Sequence, residues 1–299
     1  MKKIYMAGSG GMLGDAFYEV FRDDFVLQCT DKTATSEWLS VVDFRDFKSY
    51  EKSVINFKPD FLFHLGAHTD LEYCETNPDD TYSTNTLAVE NAVYIANKLN
   101  IPLLYISTAG IFDGSQDTFD DWDTPNPLCH YARSKYAGEK FVEQNSNTYL
   151  ICRAGWMMGG GPKKDKKFVQ KLMSQIKQGA SELNIVNDKF GTPTYTVDFA
   201  RTVKELLNKE YWGLYNLVCQ GVTSRIEVAQ ELLDILNLTA TIKINSVTSD
   251  FFKEEYFANR PQSERLVNKK LQLRGLDHLI RDWRVCLKEY LDHKYSSYL

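Results

Sequence analysis

Cysteine is scarce in this sequence: six residues in 299, Cys29, Cys74, Cys129, Cys152, Cys219 and Cys286, lie far apart and form no C-x-x-C pair. That spacing argues against a zinc site or a redox motif, predicts no metal, and suits thiols filling apolar space in a reducing compartment. A basic surplus is also missing, since 35 lysines and arginines stand against 40 acidic residues, a formal net charge of -5. No nucleic-acid partner and no anionic-membrane partner is expected from that balance. No apolar run approaches the roughly 18 residues of a membrane span. The short stretch Ile4 to Ala7 behind the two N-terminal lysines cannot serve as a signal-peptide core. These absences predict a soluble, cytoplasmic protein that works on small molecules.

With 43% hydrophobic and 25% charged residues, the chain can fill one large domain or two that share a core. Ile4–Ala7 reads as a buried strand that runs into a glycine turn, and Ala16, Phe17, Val20 and Phe21 follow at helical spacing. Further strands are expected at Phe25–Leu27, Phe61–Leu65, Leu103–Ile106 and Tyr149–Cys152, with helices through Leu87–Ala96 and Tyr131–Glu143 between them. This alternation predicts an α/β fold, a Rossmann-type doubly wound parallel sheet. After Arg153 the rhythm degrades. Gly159-Gly160-Gly161-Pro162 breaks the chain, the lysine-rich run Lys163–Lys167 follows, expected as a solvated loop with a diphosphate-facing role as the alternative, and isolated strands such as Leu214–Val218 appear. The division expected is a dinucleotide-binding domain over 1–155, with 186–220 returning to it, and a smaller mixed α/β substrate domain mainly over 156–299.

Gly8, Gly11 and Gly14 form G-x-x-G-x-x-G between the first strand and helix, while G-x-G-x-x-G fails because position 13 is Leu. Such glycines let the backbone turn tightly and approach a pyrophosphate at a helix N-terminus. Asp31, past the second strand, can accept from the adenosine ribose hydroxyls and would repel a 2′-phosphate, which leans the cofactor toward NADH over NADPH, with Lys32 as a counterweight. Asp43 and Phe44 are weaker candidates for the adenine end. Ser107 and Thr108 place hydroxyls at the end of a sheet strand. Tyr131 and Lys135 are four residues apart on one helix face. A ketone accepting hydride needs a proton on its oxygen, and a phenol whose pKa a nearby ammonium lowers can supply it. Tyr136 points away from this pair and is expected to pack.

The glycine turn, "STAGIFDG" and "YARSK" together resemble the extended short-chain dehydrogenase/reductases. "HLGAHTDLEYCETNPDDTYSTNTLAVENA", "TPNPLCHYARSKYAGEKFV", "ICRAGWMMG", "VNDKFGTPTYTVDFA" and "NRPQSERLVNKKL" narrow the resemblance to the dTDP-4-dehydrorhamnose reductase group. The resemblance implies a Rossmann domain with a sugar-nucleotide domain, and reduction of the 4-keto group of a nucleotide-diphosphate deoxysugar by NADH or NADPH. Such a reaction belongs to the making of cell-surface polysaccharide sugars. It gives Tyr131 the role of proton donor, Lys135 that of lowering the tyrosine pKa and holding the nicotinamide ribose, and Thr108 that of binding the substrate carbonyl. Asn85 takes a helix-kink or proton-relay role. Gly8, Gly10, Gly11, Met12, Leu13, Gly14, Gly66 and Ala67 would line the cofactor, and Thr69, Trp156 and Arg260 the substrate, with Arg260 toward the diphosphate. A homodimer is compatible with the resemblance. The group carries an acidic residue and a tyrosine where this chain has Ala109-Gly110, so two side chains of the pocket roof are expected to be missing. The rival readings are an epimerase or dehydratase of the same superfamily, and a dinucleotide-binding regulatory subunit without catalysis.

Overall fold

The computed structural model describes residues 1–296 and residue 298; positions 297 and 299 of the expected substrate domain lie outside the described residues. The chain starts with β1 (Lys3–Ala7), α1 (Met12–Phe21), β2 (Val26–Asp31), β3 (Leu39–Val41), α2 (Phe47–Phe57) and β4 (Phe61–His64). Next come α3 (Leu71–Thr76), α4 (Pro78–Tyr82), a π-helical turn (Ser83–Leu87), α5 (Ala88–Leu99), β5 (Leu103–Thr108), α6 (His130–Asn145) and β6 (Tyr149–Ala154). Asp31 therefore closes β2 and does not lie beyond it. β3 and α2 are not among the elements expected from the sequence.

Seven strands form one parallel sheet in the order β3-β2-β1-β4-β5-β6 and then β11 (Gly213–Asn216), which pairs with β6. Every residue of β4 is buried, as expected for a strand covered on both faces. Ile4 and Met6 point to a core shared with Phe17 and Phe21 of α1 and Phe199 and Val203 of α8 (Thr196–Asn208). Tyr5 and Ala7 point the other way, onto Tyr50 and Val54 of α2 and Val89, Ala92 and Val93 of α5. After β1 the chain moves outward to β2 and β3, then crosses back to lay β4 on the other side of β1. That reversal opens a crevice at the carboxyl ends of β1 and β4.

The remaining elements are β7 (Trp156–Met158), α7 (Phe168–Lys177), β8 (Glu182–Val186), β9 (Phe190–Gly191), β10 (Pro193–Tyr195), β12 (Thr223–Ser224), α9 (Arg225–Ile235), β13 (Lys243–Val247), β14 (Ser263–Glu264), α10 (Lys269–Leu273) and α11 (Trp283–Tyr295). Leu172 and Met173 of α7, Leu183 and Ile185 of β8, Leu232 of α9, and Trp283 and Leu287 of α11 build a separate core. Ser224 caps α9 in a capping box with Glu227, which fixes where that helix starts and hence where Arg225 stands. Among the described residues no helix is long and apolar enough to cross a membrane.

The run Lys163–Lys167 is not a solvated loop. Asp165 is buried and accepts a hydrogen bond from Tyr290 Oη at 2.8 Å, Lys164 pairs with Asp15 at 2.5 Å, and Lys167 Nζ donates to the Thr69 carbonyl and hydroxyl at 3.0 and 3.1 Å. Only Lys163 and Lys166 are exposed. One buried carboxylate turns alternate lysines inward, which composition does not reveal.

Candidate active site

The glycine turn sits at the crevice. Gly8 has φ +75°, a region that side chains disfavour, and a Cβ there would stand 2.3 Å from Gly66 Cα. The ends of β1 and β4 thus touch backbone to backbone. Gly14 lets the first turn of α1 lie on the loop, since its Cβ would meet the Ser9 carbonyl at 2.0 Å. The Gly10 N–H donates to Asp31 Oδ2 at 2.8 Å, tying the turn to the end of β2. Gly11 is the N-cap of α1 and offers no side-chain cap, so first-turn N–H groups remain available to an anion. Open space lies beside Gly11. These features fit the pyrophosphate of a dinucleotide.

Leu13 is a core residue, and Met12 is half-buried with its Cβ against Gly160. Phe44 fills the space beside Gly66, where a Cβ would come 2.2 Å from the ring, and meets the His64 ring edge-on at 4.8 Å. Asp43 is held by the Arg45 guanidinium at 2.7 Å, which keeps its carboxyl below the usual carboxylate range. Its carboxylate is thus engaged, and Phe44 is the better placed of the two adenine-end candidates. Ala67 is half-buried between Gly66 and His68.

Thr108 ends β5, and its Oγ1 accepts from the Gly110 N–H at 3.2 Å. A Cβ at Gly110 would lie 3.5 Å from Thr108 Oγ1 and 3.8 Å from Tyr131 Cε1, so the threonine and tyrosine converge on one point. Strand alternation turns Ser107 away from the crevice, to a buried position where its hydroxyl has no partner among the described residues.

On α6, Tyr131, Lys135 and Glu139 follow one another at i, i+4 and i+8 on one face. Lys135 is 4% exposed and its ammonium lies 4.2 Å from the Tyr105 ring centroid. Burial pushes that ammonium down to about 7, and the Glu139 carboxylate works in the opposite direction. Glu139 is itself bound by Arg153 through 2.7 and 3.2 Å hydrogen bonds, a pair with both side chains buried. Burial pushes the Tyr131 phenol above its ordinary value and the Thr108 hydroxyl eases it, while the Lys135 ammonium lies over the Tyr105 ring. His64, also buried, is pushed down to about 3 by burial and by the Lys135 charge, so its imidazole is neutral.

Asn85 lies in the π-helical turn, fully buried. Its amide donates to the His68 carbonyl at 3.0 Å and Ser134 Oγ at 3.1 Å, while its Oδ1 accepts from the His68 N–H at 2.8 Å. Ser134 Oγ in turn donates to the Tyr131 carbonyl at 2.8 Å. Asn85 thus clamps α6 to the loop after β4.

The opposite wall comes from later segments. Trp156 Nε1 donates to Glu264 Oε2 at 2.9 Å, and the Arg225 guanidinium stacks 3.6 Å from the indole centroid. The indole therefore does not offer that face to a sugar. Burial lowers the Arg225 pKa to about 10 and the Glu264 charge counteracts it. Arg260, expected toward a diphosphate, is bound by Glu72 at 2.7 and 2.8 Å and donates to the Ala258 carbonyl. Its donor fork is satisfied within the protein. Ala109 does not line the pocket either: it is 1% exposed, among Ile111, Phe112 and Phe119, so only Gly110 leaves a gap.

His64, Glu139, Arg225 and Glu264 were not singled out from the sequence. Glu139 could have been, since it continues the Tyr131/Lys135 face by one more turn. Arg225 and Glu264 reach the site through pairings between distant segments, which leave no local signal.

The dTDP-4-dehydrorhamnose reductase of Salmonella typhimurium is 28% identical over 265 residues, covering 85% of this chain and 86% of that protein. The crystal structure of dTDP-4-dehydrorhamnose reductase from Yersinia enterocolitica superposes with a TM-score of 0.87 at 30% identity, over 98% of this chain and 99% of that one. The Bacillus anthracis reductase in complex with NADP gives a TM-score of 0.88 at 26% identity, over 98% and 99%. The family model for the RmlD substrate binding domain matches residues 1–296, and the chain belongs to that family.

Proposed function

We propose that this protein reduces the 4-keto group of a nucleotide-linked deoxysugar, with a nicotinamide dinucleotide as its cofactor. The observation that carries this reading is the convergence of Thr108 and Tyr131 beside Gly110, at the carboxyl end of β5, with Lys135 buried one turn along α6.

The turn Gly8–Gly14 and the start of α1 would hold the pyrophosphate, Asp31 the adenosine ribose, and Phe44 with Gly66 and Ala67 the adenine side. When bound, the cofactor supplies the hydride equivalent. The Thr108 hydroxyl orients the ketone oxygen, and Tyr131 gives it the phenolic proton. Lys135, with a pKa about 7, exchanges protons readily at neutral pH and is placed for the nicotinamide ribose and for resupply of Tyr131. Asn85 positions α6. Lys167, whose ammonium is pushed down first by burial and least by the Arg225 charge, and Arg225 are better candidates for a diphosphate than Arg260, which Glu72 holds; Thr69 adjoins Lys167. All six cysteines are buried and unpaired, which suits a reducing cytoplasm.

The test is to mix the purified protein with NADH or NADPH and a panel of 4-keto nucleotide sugars and follow the absorbance of the reduced cofactor. Oxidation far beyond enzyme stoichiometry with one sugar supports the reading. Cofactor binding with no turnover on any sugar contradicts it and favours a regulatory subunit. The Asp31 carboxylate favours NADH, because it would repel a 2′-phosphate. Asp31→Asn is expected to shift the NADH/NADPH ratio of kcat/KM toward NADPH by about tenfold, the effect of roughly 1.4 kcal/mol. A wild-type ratio already favouring NADPH would overturn that preference.

A further inference from the structure

Gly110 leaves a gap at the point where Thr108 and Tyr131 meet, and a carboxylate from a distant part of the chain faces that gap. A Cβ at Gly110 would lie 3.9 Å from Glu264 Oε1, beside its 3.5 and 3.8 Å approaches to Thr108 and Tyr131. Three independent restraints put Glu264 there. β14 pairs with β9 in the register Glu264 to Gly191. Gly191 lies directly against the Trp156 indole, where its Cβ would meet Cε2 at 2.3 Å. The indole N–H then fixes one carboxylate oxygen, Oε2, at 2.9 Å. The other oxygen, Oε1, has no hydrogen-bond partner among the described residues, and no cation pairs with Glu264 within ion-pair distance there. Arg225 stacks on the same indole, 3.6 Å from its centroid.

A carboxylate with one oxygen anchored and the other facing the gap shared by Thr108 and Tyr131 is an acceptor in search of a donor. In a 4-keto-6-deoxyhexose the ketone carbon has two ring neighbours: one carries the methyl-bearing side, the other a hydroxyl at C3. We propose that Glu264 is a specificity-determining residue whose Oε1 accepts a hydrogen bond from the C3 hydroxyl of the sugar while Thr108 and Tyr131 hold the C4 oxygen. The inference rests on the reductase reading of the same site. Its consequence is selection against sugars already deoxygenated at C3, because such a substrate would leave a half-buried carboxylate oxygen unpaired. Sites built to bind a hydroxyl reject its absence far more strongly than apolar pockets reject an extra group.

The test compares kcat/KM for a dTDP-linked 4-keto-6-deoxyhexose and its 3-deoxy counterpart, in the wild-type protein, Glu264→Gln and Glu264→Ala, with melting temperature and NADH affinity measured alongside. The wild type is expected to prefer the hydroxylated sugar by about 100-fold or more. Glu264→Ala should cut that preference to below about tenfold, mainly by raising KM for the hydroxylated sugar. Glu264→Gln, which keeps an acceptor oxygen and the size of the side chain, should fall between them and serves if the alanine variant folds poorly. Equal losses on both sugars would make Glu264 a mere prop for Trp156 and overturn the proposal, as would an unchanged preference. If the wild type neither turns over nor, by calorimetry, binds either sugar, the reductase reading falls as well. Turnover with an unaltered preference removes the Glu264 inference alone.

Discussion

On one side of the crevice Tyr131, Lys135 and Glu139 stand on a single helix, one turn apart, and are backed by Arg153 and Tyr105 from adjacent strands. On the other side Trp156, Arg225 and Glu264 come from three segments, with 108 residues between the first and the last. The first wall is largely buried and anchored by the Glu139–Arg153 pair. The second leaves a carboxylate oxygen and a guanidinium without hydrogen-bond partners among the described residues. A wall whose task is a fixed proton transfer can be closed off, whereas a wall that reads a substrate must keep donors and acceptors open to it.

Perturbing the two walls should therefore have different signatures. The largest effect belongs to Tyr131→Phe, which removes the acid and leaves its ring in place. Turnover is expected to fall by about 10³-fold, roughly 4 kcal/mol in transition-state stabilisation, with dinucleotide affinity measured by fluorescence titration unchanged. A fully active variant would remove Tyr131 from the chemistry.

The next effect is on stability. Glu139→Met strands Arg153 as a buried unpaired cation and should cost about 3 kcal/mol in urea denaturation. Arg153→Met in the same background should recover much of that loss. No comparable penalty is expected for Glu264→Gln, and a loss of similar size there would erase the contrast between the walls.

The smallest effect is a pH dependence. Burial depresses the Lys135 pKa to about 7, so between that value and the ordinary lysine range the unfolded chain binds more protons than the folded one. The stability associated with this group is thus fully present above the unfolded lysine pKa and is lost as pH falls toward 7, with a slope of at most about 1.4 kcal/mol per pH unit. In Lys135→Met, the rise of denaturation free energy between pH 7 and 9 should be flatter than in the wild type. Parallel curves would mean that the lysine is not depressed.

The contrast also explains which parts of the site can be read from the sequence. A glycine turn after a strand and a Tyr/Lys pair at helical spacing are written locally, and the strand order that brings them together follows from the alternation of β and α. Thr108 is legible because it ends a continuous buried strand. Glu264 is not, since its position depends on β14 finding β9 and on an indole lying across Gly191. Spacing also fails where burial decides: Ser107 turns into the interior, Ala109 packs into a small core, and the lysine run is drawn in around Asp165. The sequence spacing of Tyr131 and Lys135 is correct, but spacing does not show that burial raises the phenol or that the ammonium lies over Tyr105.

The most direct measurement follows an isotope. The protein is incubated with NADH deuterated at nicotinamide C4, on the transferred face, and a dTDP-linked 4-keto-6-deoxyhexose, and the product sugar is analysed by mass spectrometry and NMR. One deuterium at C4 of the sugar, with an equimolar amount of oxidised cofactor over many turnovers, is the predicted result. An isomerised sugar without label, or a bound cofactor that is never consumed, would contradict it.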